Sequence, residues 1–186
     1  MDVEKLRENL NEISDGRKIV LVIANSKEYS EANLETLKYL ITDKRLPGIY
    51  VTVNKPYETL NRMLEKNGID TDRLFFLDGI SREVGSGSEE DDNVYYLDSP
   101  QNLTNISIAL SEIVKEMPEG EKFLIIDSMS SLTIYNQSEK VSKFARHITG
   151  KMRKWNITGL ILSIEEEVDD KIVSHFTQFC DEIIRI

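Results

Sequence analysis

The stretch Phe123-Leu-Ile-Ile-Asp-Ser-Met-Ser-Ser-Leu132 decides how the rest of the chain is read. Four apolar residues in succession, ending on a carboxylate, describe a strand buried on both faces, which is the pattern of a parallel sheet. Upstream, Lys18 to Ala24 is a second continuous run of this kind, and Ile49–Val53, Arg73–Leu77 and Val94–Leu97 are shorter ones. Downstream, Ile157–Ile164 and Asp181–Ile186 complete the set. Between the runs the apolar period changes to that of a helix. Val3, Leu6, Leu10 and Ile13 form an N-terminal helix over 1–15, and Ser30 is placed to cap one that carries Leu34, Leu37 and Ile41. Pro56 opens a third helix, which Asn67-Gly68 closes. Leu103 to Met117 and Glu139 to Trp155 give two longer ones, and a short one carries Phe176 and Phe179. Alternating strands and helices predict a three-layer α/β/α fold with a mainly parallel central sheet, as one domain over 1–186. The polar, acidic stretch 80–93 and the acidic run 165–170 read as surface loops, the first of them flexible.

Composition narrows the function classes. The chain has 186 residues, 40% of them hydrophobic, and a formal charge of −10. Such an acidic balance disfavours broad electrostatic binding to nucleic acids or anionic lipids. No apolar run approaches the roughly 20 residues needed to cross a bilayer, and no signal peptide is visible, so cytoplasmic residence is expected. The single cysteine, Cys180, can form no intrachain disulfide and reads as buried and inert. Neither His147 nor His175 has a partner at metal-ligand spacing, and no metal site is expected.

In open parallel sheets, ligands bind beyond the carboxyl ends of the strands. Asp127 stands there, where nucleotide hydrolases place a carboxylate that holds magnesium through water, although a strand-end Asp also serves as a loop cap. Its surroundings carry a resemblance. Ile125-Ile-Asp-Ser-Met-Ser-Ser-Leu132 resembles the Walker B region of the KaiC and RadA-like branch of the RecA superfamily. Val141 to Ser163 is similar to that branch's long helix and following strand, Phe179 to Ile186 to its terminal segment, and Gly48 to Asn54 to its second strand. The resemblance spans about residues 17–186 and is closest to archaeal KaiC-like proteins. It implies a RecA-like, P-loop NTPase fold.

The chain also departs from that pattern. A working member carries Gly-x-x-x-x-Gly-Lys-Ser/Thr after the first strand, because glycine lets successive N–H groups face the phosphates. Here the strand runs into Ala24-Asn-Ser-Lys-Glu-Tyr-Ser-Glu-Ala-Asn33, and no glycine falls between Gly16 and Gly48. Glu28 and Glu31 would repel a triphosphate, and Asn54-Lys55 replaces the family's acidic catalytic pair. The expectation is a RecA/KaiC-like homologue without the Walker A motif, with no catalytic residue and no cofactor, that acts as a regulatory or scaffolding protein through a protein partner or self-association. The alternative is ATP binding with magnesium at a non-standard site of Ser26, Lys27, Asp127 and Ser128, with little or no hydrolysis. A receiver domain phosphorylated at Asp78 is a weaker rival, because Ala24-Asn25 offers no acidic cluster for its metal.

Overall fold

The computed structural model describes residues 3–87, 92–167 and 170–186. Residues 88–91 of the acidic 80–93 stretch, and 168–169 of the second acidic run, lie outside the described residues. Helix α1 (Val3–Gly16) leads into β1 (Ile19–Ala24), α2 (Tyr29–Lys38), β2 (Gly48–Thr52), α3 (Tyr57–Lys66), β3 (Leu74–Asp78) and β4 (Val94–Tyr96). Then come α4 (Leu103–Glu116), β5 (Phe123–Asp127), α5 (Met129–Tyr135), α6 (Ser138–Trp155), β6 (Thr158–Ile164), α7 (Asp170–Phe176) and β7 (Glu182–Arg185). All seven strands pair in parallel, in the order β4-β3-β2-β5-β6-β1-β7.

Two cores sandwich this sheet. On one face α1, α2 and α3 pack on Val20, Val22, Tyr50, Phe76, Phe123 and Ile125. On the other, α4, α5, α6 and α7 pack on Leu21, Ile23, Val51, Leu124 and Ile126. Because side chains alternate along a strand, Phe123, Ile125 and Asp127 share the α2 face of β5. That parity aims Asp127 beneath α2, and the register sets it beside Thr52 at the end of β2.

Several local details differ from the sequence reading. Helix α5 follows β5 directly and has no counterpart in the apolar pattern. Its start comes from Ser128, whose Oγ accepts the Ser131 N–H at 3.1 Å. Ser30 lies within α2 instead of capping it, and the turn ahead of the helix is organised by Asn25. After α2 the chain winds through a π turn, Tyr39–Asp43. Glu165–Glu167, read as loop, forms one turn of 3-10 helix. At the start of the 80–93 stretch, Ile80 and Ser81 are buried.

Candidate functional site

Asp127 is 1% exposed, and four side chains converge on its carboxylate. Oδ1 accepts from the Tyr29 hydroxyl at 2.5 Å and from Asn54 Nδ2 at 2.8 Å. Oδ2 accepts from the Tyr50 hydroxyl and from Asn33 Nδ2 at 3.2 Å, and the Asn33 amide also donates to the Tyr50 oxygen at 2.5 Å. Local geometry explains the convergence. Tyr29 and Asn33 stand one turn apart on the buried face of α2, Tyr50 has the inward parity of β2, and Asn54 lies just past its end. All four donors are neutral, and no ion pair among the described residues includes Asp127. Burial, and then the Asp127 charge, hold both tyrosine hydroxyls well above their usual ionisation range. Between α2 and the sheet the cavity measures only about 10 Å³, room for about one water molecule. Beside this network Asn33 Oδ1, Asn54 Oδ1 and Ser163 Oγ are buried without a hydrogen-bond partner among the described residues.

The β1–α2 junction is short, and its amides are engaged. Asn25 Oδ1 accepts the N–H groups of Lys27 and Glu28, each at 3.1 Å, while the Asn25 carbonyl accepts those of Glu28 and Tyr29. Ser26 gives its N–H to Glu166 Oε2 at 3.0 Å and its hydroxyl to Oε1 at 2.9 Å. A carboxylate of this chain therefore occupies the anion-facing position of the turn. Glu166 is held below the usual carboxylate range by backbone amides, its own first and then that of Ser26, with the Ser26 hydroxyl and the Lys27 charge adding to the effect. Its neighbour Glu165 pairs with Arg185 at 2.8 Å.

The four residues singled out in the sequence thus separate into three environments. Ser26 and Lys27 lie on the exposed turn. Asp127 is buried under α2. Ser128 is fully buried on the other side of a cis peptide, capping α5 and bonded to the hydroxyls of Ser130 and Ser131 at 3.0 and 2.7 Å. Asp78 also serves structure. It is buried and accepts the N–H groups of Tyr57, Ile80 and Ser81 at 2.6, 2.7 and 2.8 Å and the Ser81 hydroxyl at 2.5 Å, so no oxygen is open to a phosphoryl donor. The two histidines each meet a serine, His147 with Ser107 and His175 with Ser142, both at 3.1 Å. Cys180 is half-buried, with its thiol pushed up to about 12 by burial.

Sequence reading missed Tyr29, Asn33 and Tyr50 as partners of Asp127, and Glu166 as the partner of Ser26. One signal was available. Polar Asn33 and aromatic Tyr29 sit i and i+4 on the face of α2 that also holds Leu37, where a purely apolar stripe is the simpler expectation.

No curated protein matches the chain. Among solved structures, a KaiC-like protein of the hyperthermophilic archaeon Pyrococcus horikoshii aligns with a TM-score of 0.63 at 14% identity, covering 91% of this chain and 70% of its own. An uncharacterised protein of the same organism, solved in complex with an unknown peptide, aligns with a TM-score of 0.65 at 13% identity, covering 91% and 77%. At such identities these two show the fold alone. The family model described as "ATPase: KaiC" matches residues 34–186. That span takes in β2 to β7, with Asp127 and Glu166, and on this match the chain belongs to the KaiC ATPase family.

Proposed function

We propose that residues 1–186 form one domain that is a catalytically inactive homologue of the KaiC-like ATPases, and that it works in the cytoplasm as a regulatory or scaffolding protein through protein contacts. The observation that carries this reading is the saturation of Asp127 by four neutral donors. The residues present do not fit magnesium at that position. A metal-holding carboxylate needs an oxygen facing water or phosphate. Here each oxygen accepts two hydrogen bonds under a helix, and each bond to a charged group is worth about 1.5–3 kcal/mol.

Two further features support the reading. The turn that would cradle phosphates has no glycine from Ala24 to Asn33, and its first free amide is held by the tethered carboxylate of Glu166. At the end of β2, Asn54 and Lys55 provide no base to activate water. The protein-contact half of the proposal draws on the assembly habits of the family's ATPases and on the Pyrococcus neighbour solved with a peptide, which has the same fold. The net charge of −10 speaks against a nucleic-acid partner, and no helix among the described residues is long and apolar enough to cross a membrane.

Thermal unfolding with millimolar Mg-ATP tests the inactive reading. A ligand at 100 times its dissociation constant adds about 2.7 kcal/mol of stability. The expected result is an unchanged Tm and no phosphate release. A rise in Tm that Lys27→Ala abolishes would instead establish the alternative, ATP with magnesium on Ser26, Lys27, Asp127 and Ser128.

A further inference from the structure

A groove lies between α4 and α6, on the face of the sheet opposite the one that carries α2 and the Asp127 carboxylate. It measures about 900 Å³. Lys140, Lys143, His147 and Lys151 line its α6 wall at spacings of three, four and four residues, which puts all four on one stripe of the helix. Phe144 and Ile108 supply apolar surface, and Ile108 is 51% exposed although it stands mid-helix on α4. The charge there is poorly matched. Helix α6 carries six Lys and Arg against one acidic residue, in a chain whose net charge is −10. Among the described residues Lys143 pairs with Glu139 alone, and both side chains are about three-quarters exposed, so solvent screens the pair. Lys151 is half-buried and gives its ammonium protons to three neutral oxygens, Ser107 O, Ser107 Oγ and Ser111 Oγ, at 3.2, 3.0 and 2.7 Å. Lys140 has no ion-pair partner among the described residues.

From this we infer that the α4/α6 groove is a docking site for a short acidic peptide segment of a partner protein, one that carries an aliphatic or aromatic side chain to cover Ile108. The inference rests on the protein-contact reading above and names the surface and the chemistry of the partner. Dimensions favour a peptide over a single anion. From Lys140 to Lys151 the stripe runs eleven residues, about 16 Å along the helix, which an extended segment of about five residues matches. Exposed apolar surface among the cations favours a peptide over a nucleic-acid backbone, which would meet charge alone. A second copy of this chain is the weaker occupant, since two of the three carboxylates of the described acidic turn are already engaged, Glu165 with Arg185 and Glu166 with Ser26.

The test uses the full ¹⁵N-labelled chain, titrated to millimolar concentration with a synthetic hexapeptide of four Glu and two Leu, and with its Gln-for-Glu counterpart. The expected result is chemical-shift change confined to α4 and α6, about tenfold weaker for the Gln peptide and for a Lys140→Glu, Lys143→Glu double variant, both of whose sites are exposed. Ile108→Ser should weaken binding severalfold at every salt concentration. Equal binding of both peptides, or no perturbation, overturns the assignment. Perturbation elsewhere also overturns it, yet leaves the protein-contact reading standing. Tighter binding of oligo-dT than of the Glu peptide transfers the groove to nucleic acid, and concentration-dependent shifts at these residues without peptide transfer it to a second copy. Stabilisation by Mg-ATP would overturn the inactive reading while leaving the peptide titration fully readable.

Discussion

Tyr29 and Tyr50 show most directly how buried chemistry in this protein is organised by charge. Each phenol faces Asp127, and burial with that charge holds both in the protonated form well above the usual tyrosine range. A folded-state value raised above the unfolded value of about 10 contributes stability that is complete below pH 10 and is lost as pH rises toward the folded values. Tyrosinate absorbance at 295 nm during alkaline titration should therefore lack the contribution of these two, among seven tyrosines in all, until the chain unfolds. Urea denaturation should show stability falling with pH above about 10, with a shallower fall for Tyr29→Phe. A tyrosinate count that reaches seven while the fold persists would contradict the network. Asp127 itself was legible as a strand-end carboxylate. Its partners were not, because they lie 73 to 98 positions away in sequence and meet it only through the β2–β5 register and the placement of α2.

Strands and helices answer to closer neighbours, and Gly48 is the clearest case. In the parallel register it stands beside Phe123 of β5, and a Cβ built on it would lie 2.1 Å from the ring. The aromatic side chain of one strand thus fills the space left by the missing side chain of the next. Gly48→Ala should destabilise by about 1–3 kcal/mol or more in chemical denaturation, and Phe123→Leu in the same background should recover part of the loss. A neutral Gly48→Ala would show that the ring has free space to move. The long apolar runs made β1, β5 and β6 readable from sequence, since a strand buried on both faces leaves few other interpretations. Helix α5 was not readable. Its seven residues are too few for a repeating apolar stripe, and Ser128, which starts it, looks the same as a loop serine until its Oγ meets the Ser131 amide.

Across the whole sheet, burial falls from the centre outward. Strands β5 and β2 are fully buried and have neighbours on both sides, whereas the edge strands β4 and β7 have three and four residues, mostly half-buried. Hydrogen exchange followed by mass spectrometry should find the β5 and β2 amides slowest and those of β4 and β7 faster by orders of magnitude, because edges open locally while the centre exchanges through global unfolding. Equal protection at edge and centre would mean that the edges are covered in solution, as in a stable oligomer. The sequence by itself determined the layered α/β architecture, the acidic surface and the absence of glycine after β1, for these depend on composition and on periodicities within a few residues. Tertiary structure alone decided that Asp127 is closed over by two tyrosines and two asparagines, that Glu166 takes the amide of Ser26, and that three lysines and His147 of α6 line a groove with Ile108. Each of those outcomes depends on segments far apart in the chain, and only strand order, register and the packing of helices on the sheet bring them to one place.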